Sequence, residues 1–137
     1  MDAICATLNR WKAEPFVWGQ TDCMMVLADW LVLIGHDDPA SGLRGTYDDR
    51  LTCERLTRFI SDPLRLASEC FEGVGLEKTE TKSAGDVAVV LIRGQKIPFG
   101  ALWTGTCWAS KTEHSSVLTL KPIFVRPLAI WGAGYAP

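Results

Sequence analysis

The chain has 137 residues, 47% of them hydrophobic and 22% charged, and its 14 Lys+Arg against 16 Asp+Glu leave a formal charge of -2. That length is most simply one domain with a real core, and the scattered basic residues argue against a protein that grips nucleic acid through a broad basic face. Six Trp, five Phe and numerous Leu and Val exclude a disordered chain, and no apolar run approaches the roughly 18 residues needed to span a bilayer.

The first half reads helical. MDAICATLNRWKAEPF lacks the basic start and apolar stretch of a secretory signal. Instead Ile4, Cys5, Leu8 and Trp11 mark one face of a short helix that Asp2 can cap and Glu14-Pro15 ends. A second helix, capped by Thr21 or Asp22, carries Cys23, Met24, Val26, Leu27, Trp30, Leu31 and Ile34, with Gly35 at its C-terminal cap. A polar loop, HDDPASGLRGTYDD, fills residues 36–49. Asp48 or Asp49 can start a third helix carrying Leu51, Leu56, Phe59 and Ile60, and Ser61-Asp62-Pro63 starts a fourth through Leu64, Ala67, Cys70 and Phe71.

From Gly73 the character changes. EKTETKS (77–83) reads as an exposed connection and DVAVVLI (86–92) as a buried strand. GALWTGTCWA (100–109) reads as one long strand, with Gly100 and Gly105 marking bends or close contacts, SKTEH (110–114) as a turn and SSVLTL (115–120) as the return strand. PIFVRP and LAIW read as two short final strands. The expected fold class is α+β: a single domain over 1–137, with a helical half to about residue 75 packed on an antiparallel sheet from about residue 84.

Five cysteines, Cys5, Cys23, Cys53, Cys70 and Cys107, contain no C-x-x-C, so a zinc ribbon or thioredoxin-type site has no support. Without a signal segment they are expected to be free thiols, most of them small buried hydrophobes. No metal or other cofactor is called for. Asp37 and Asp38 are adjacent loop acids without an accompanying ligand set. Trp11, Trp30 and Trp131 read as core. Trp103 and Trp108, five apart on the expected long strand, point to opposite faces.

Pro15-Phe16-Val17-Trp18-Gly19-Gln20-Thr21-Asp22-Cys23 is the stretch that carries chemistry. It places Cys23 at the first turn of a helix, where unpaired N–H groups can lower a thiol's pKa below the free value of about 8.5 or hold an oxyanion. The alternative for Cys23 is a small residue packed under the sheet. Asp22 reads better as a helix cap than as an orienting group, Gln20 as an exposed turn residue or an amide aimed beside Cys23, and Asp86 as a strand-start residue. Trp18, Phe99 and Trp103 could line a cleft; ordinary sheet packing is the other reading.

W-G-x-x-D-C opening a helix, then G-D-V-x-V-V opening a sheet, resembles the NlpC-type cell-wall cysteine peptidases. More closely, PFVWGQTDCMMVLADW, the loop D-P-A-x-G-L-R-G (Asp38 to Gly45) and Gly85-Asp86-Val87 resemble a phage and prophage family whose genes lie among those for siphophage tail-tip proteins. The resemblance runs from about Trp11 to Trp131. It implies a papain-like NlpC-type α+β fold, Cys23 as nucleophile, and a cleft supported by Trp18, Gly19, Gln20, Asp22, Asp86 and the position of Phe99.

It also implies a histidine at the start of the strand after the Gly-Asp strand, near Ile97-Pro98-Phe99-Gly100, and none is there. His36 is about 20 Å of helix away from Cys23. His114, at the far end of one continuous strand, is about 30 Å from its start. The leading expectation is therefore a degenerate peptidase fold serving as a tail-tip or baseplate subunit in the virion, made in the host cytoplasm, with hub, distal-tail or fibre proteins as partners. The alternative is an active cysteine peptidase or amidase that cuts peptidoglycan as a phage enters its host; a tail-assembly chaperone is a third. No nucleic acid and no membrane-spanning segment enter any of these readings.

Overall fold

The computed structural model describes residues 2–114 and 117–136. Helix α1 (Ala3–Ala13) starts where the Asp2 carboxylate accepts the Cys5 N–H at 2.8 Å, and it ends before Pro15. Its buried stripe is Ile4, Thr7 and Trp11, while Cys5 is exposed rather than part of the apolar face. Helix α2 (Met25–Leu33) begins two residues after Cys23 and buries Met25, Val26, Leu27, Ala28, Trp30 and Leu31, nearly its whole circumference. A helix this apolar all round can only be central. Gly35 closes it at φ +108, with the His36 N–H reaching back to the Leu31 carbonyl, a Schellman-type stop.

Helix α3 (Arg50–Thr57) carries a capping box between Asp49 and Thr52. It stops earlier than its sequence suggests, because Arg58 turns left-handed at φ 58. Phe59 and Ile60 fall outside the helix, and Leu51 and Leu56 point to solvent. Helix α4 (Pro63–Glu72) starts with proline at its first turn and buries Ala67 and Phe71.

All six strands are antiparallel: β1 (Glu77–Lys78), β2 (Val87–Ile92), β3 (Phe99–Trp103), β4 (Trp108–Ser110), β5 (Leu118–Leu120) and β6 (Val125–Gly132). They stand in the order β1-β6-β2-β3-β4-β5. The architecture is α+β, as the sequence implied. Part of the connection 77–83 pairs as β1 with β6. The two expected final strands are a 3-10 turn (Pro122–Phe124) followed by one strand, whose register shift opposite Val89/Val90 accommodates Pro127. Ser115 and Ser116 of the expected return strand lie outside the described residues.

The largest correction concerns residues 100–109. They are not one strand but two, folded back at Thr104–Cys107. Thr104 and Cys107 exchange a backbone bond, the Thr104 Oγ1 accepts the Cys107 N–H at 3.1 Å, and Gly105 sits at φ 109. Trp103 and Trp108 are therefore cross-strand partners on one face, with ring centroids 5.1 Å apart, and both are buried.

Alternation along the strands feeds two cores. Val87, Val89 and Leu102 face the helices and join Trp11, Leu27, Trp30, Phe71 and Trp131. Ala88, Val90, Ile92, Ala101, Trp103 and Trp108 face the other way, where the sheet curls around them. Each large apolar side chain so buried contributes about 1.5–3 kcal/mol. Lys111, just past β4, is fully buried and ties the layers together: its ammonium donates to the carbonyl of Trp11 and, at 2.6 Å, to that of Glu14. These are carbonyls at the otherwise open end of α1. Burial holds this lysine below its ordinary pKa.

Candidate functional site

The turn before α2 is organised by Asp22, not by Cys23. Asp22 is buried, and its carboxylate accepts four hydrogen bonds: Gly19 N–H at 2.9 Å, Met24 N–H at 3.1 Å, Met25 N–H at 3.0 Å and the Tyr47 hydroxyl at 2.7 Å. The helix starts later than expected, at Met25 with Met24 in the cap position, so Asp22 satisfies the N–H groups of the turn that leads into it, with an added partner in Tyr47 that nothing in the sequence marked. Gly19 is required here. At φ 81, a Cβ on it would lie 2.1 Å from the Tyr47 carbonyl.

The loop that holds Tyr47 in place is fixed by Arg44. Its guanidinium makes a two-pronged pair with Asp38 (2.7 and 3.0 Å) and reaches Asp29 on α2 at 2.9 Å. Asp38 is therefore an ion-pair partner whose carboxyl Arg44 holds below the usual range. Among the described residues no group of three or more His, Cys, Asp or Glu could hold a metal ion. Trp18 stacks edge-on against Phe16 at 5.0 Å and packs on the small cluster of Met25, Ala28, Ala40, Tyr47 and Cys53. Gln20 is exposed, as one of its two readings had it.

Cys23 lies where α2 meets β3, and its Sγ accepts the Gly100 N–H at 3.3 Å. The expected activation by the helix terminus is absent. Two of the N–H groups that would stabilise a thiolate or an oxyanion, those of Met24 and Met25, are taken by the Asp22 carboxylate. Burial, then the neighbouring Asp22 charge, push the Cys23 thiol up to about 12. The strand position facing Cys23 is Gly100, and it has no spare room. A Cβ there would stand 2.6 Å from Met24 Sδ, 2.9 Å from the Cys23 carbonyl oxygen and 2.9 Å from Leu27 Cδ1.

Phe99 does not line a cleft with Cys23. Together with Ala101 and Trp103 it packs into the core on the opposite face of the sheet. Asp86 sits just before β2, three residues along the chain from Val89, the partner of Gly100. Asp86 is buried and accepts the Ser83 N–H at 2.8 Å and the Ala133 N–H at 2.9 Å, which fixes the end of the chain against the start of β2.

The fold-back at Thr104–Cys107 also relocates His114. The register Leu102↔Ala109, continued, sets Lys111 beside Gly100, and the Ser110 hydroxyl donates to the Gly100 carbonyl at 2.8 Å. His114, exposed and three residues beyond Lys111, is therefore within about 10 Å of extended chain from the Cys23 end of the sheet. The long-strand estimate placed it at the other end. His36 is half-buried, with Nε2 2.7 Å from the Ala133 carbonyl, and serves the C-terminal segment.

These elements define a class: an α+β domain with a cysteine at the junction between an apolar central helix and an antiparallel sheet. The chain belongs to the family described as Domain of unknown function (DUF6950), whose family model matches residues 2–125. No curated protein and no solved structure matches it. No helix among the described residues is long and apolar enough to cross a membrane.

Proposed function

We propose that this protein is a structural subunit of a phage tail tip or baseplate, built on a papain-like NlpC-type fold in which Cys23 keeps the nucleophile's position without its chemistry. The observation that carries the catalytic half of this reading is the junction of Cys23 with Gly100. The thiol is half-buried beside a carboxylate, the Met24 and Met25 N–H groups are spent on Asp22, and the facing strand position is closed even to a methyl group. A nucleophilic cysteine needs a lowered pKa or an adjacent base, and this arrangement gives neither. The tail-tip assignment, with hub, distal-tail or fibre proteins as partners and the virion as location, rests on the motifs from Trp18 to Cys23 and from Asp38 to Gly45.

One observation favours the second reading, an active cysteine peptidase or amidase acting on peptidoglycan. His114 lies at the Cys23 end of the sheet, and a movement of the segment after Lys111 could bring its imidazole toward the thiol. The rate of alkylation of Cys23 against pH separates the two, with Cys23→Ser used to subtract the other four thiols. The structural reading expects slow reaction that rises only in strong base. Rapid reaction near neutrality, lost in His114→Ala, would establish the peptidase instead.

A further inference from the structure

A shallow groove of about 370 Å³ lies over the end of β2, the β2–β3 turn and the segment leading into β6 that pairs with them, lined by Leu91–Gln95 and Ile123–Arg126. We infer that this groove docks an acidic segment of a partner protein that anchors itself through an apolar side chain. Its volume falls in the range of roughly 300–1,000 Å³ in which clefts hold a compact group. Its walls are already fixed by pairing: Leu91↔Arg126, Ile92↔Val125, and the Arg93 N–H to the Phe124 carbonyl at 2.9 Å. A ligand therefore finds a preformed site and spends little on ordering it.

The chemistry of the lining selects the occupant. Ile123 is 72% exposed and Phe124 40%, two adjacent apolar side chains open to solvent at the groove. The Arg93 guanidinium lies 5.6 Å from the centre of the Phe124 ring, and Arg126 stands on the segment that pairs with the end of β2. Among the described residues neither arginine has a salt-bridge partner. No Asp or Glu is among the residues that line the groove. The groove therefore offers two unmatched guanidinium groups around an apolar centre, the complement of a carboxylate-bearing segment with an aliphatic side chain between its charges. A nucleic-acid backbone fits less well. It needs a longer basic track than two guanidinium groups, and it leaves Ile123 uncovered.

The inference holds whether or not Cys23 reacts, so it can fail separately from the reading above. The test is an amide-resolved NMR titration of the whole chain with the peptide acetyl-Glu-Leu-Glu-Leu-Glu-amide. Inorganic phosphate and the Lys-for-Glu peptide serve as comparison probes. Shifts confined to residues 91–95 and 123–126 are expected. Binding should weaken about tenfold in Arg93→Glu/Arg126→Glu, whose exposed side chains can change without disturbing the fold, and severalfold in Ile123→Ser or on raising the salt. Four outcomes overturn the proposal: no shifts, equal response to the Lys peptide, phosphate alone reproducing the pattern (a bare anion site), or the same residues shifting with protein concentration before peptide is added (a second copy as the occupant).

Discussion

The Tyr47 hydroxyl donates to Oδ2 of Asp22 at 2.7 Å, across 25 residues of sequence, and the same oxygen accepts the Gly19 N–H. This bond joins the 36–49 loop to the turn that launches α2. Burial, reinforced by the Asp22 charge, holds the phenol in its protonated, donating form. Asp22→Ala leaves four donors without their acceptor, and a loss of about 3–5 kcal/mol is expected in urea unfolding. Tyr47→Phe should cost about 1–2 kcal/mol. The double variant should cost less than the sum, because each change removes the other's partner. Additive losses would mean that the two groups do not act together.

Cys23 supplies a prediction with a definite sign. A thiol titrating at about 12 is roughly one part in ten thousand ionised at pH 8, against roughly a quarter for a free thiol. A thiolate of higher pKa is also a stronger nucleophile, so alkylation of Cys23 at pH 8 should run about a hundredfold slower than that of an unhindered thiol. The folded value is raised above the unfolded one, so the folded state keeps a proton that the unfolded state gives up. The stability this group contributes is complete below the ordinary thiol range and is lost as the pH climbs toward 12. Unfolding midpoints for the natural chain and Cys23→Ser should accordingly diverge only in alkali.

Installing the missing histidine should not create an enzyme. Phe99→His places an imidazole on the face of β3 turned away from Cys23, so the alkylation profile of Cys23 should be unchanged. Gly100→Ala addresses the facing position directly. Its methyl group meets Met24, Leu27 and the Cys23 carbonyl, and overpacking of this kind costs about 1–3 kcal/mol. A Phe99→His protein whose Cys23 reacts near neutrality would refute the geometry described.

Arg44 closes the Asp38–Gly45 loop through geometry as much as charge. Arg44→Lys offers one point charge in place of a planar fork, and with both partners partly solvated the expected loss is about 0.5–1 kcal/mol. Asp38 has a lowered pKa, so its contribution is present above the ordinary carboxylate value and is lost as the pH falls through the depressed one. Acid unfolding of the natural chain should thus converge on that of Arg44→Lys below the carboxylate range.

Much of this fold was legible because single residues announced it. Asp2, Asp49 and Pro63 start their helices, Gly35 ends α2, and the apolar run from Val87 to Ile92 is buried on both sides. The β3–β4 turn was legible only as a bend at Gly105, not as a full reversal. Thr104, Thr106, Cys107 and Trp108 favour extended structure, and the turn is made by a threonine hydroxyl rather than by an Asn-Gly pair. That one misread turn carried two errors, the faces of Trp103 and Trp108 and the distance of His114. At the candidate site, Cys23 and Asp22 could be located from sequence, but the sign of the thiol's shift could not. It depends on which acceptor captures the Met24 and Met25 N–H groups, a matter of tertiary geometry. Tyr47 and Lys111 carried no local signal, since their partners lie 25 and 100 residues away.

The Lys111 ammonium also sets the earliest point in synthesis at which the end of α1 can be closed. The carbonyls it satisfies belong to Trp11 and Glu14, 100 and 97 residues earlier. As the chain leaves the ribosome, at about 5–20 residues per second, the first helix waits several seconds for the residue that closes its end. Until then, with the two sheet cores also unmade, α1 is a short segment with little to hold it, since isolated helices under about 12–15 residues are marginal in water. A nascent chain stalled before Lys111 should therefore remain protease-sensitive at its N-terminus, and protection should arrive late, once β6, which pairs with β2 and brings Trp131 to the core, has emerged.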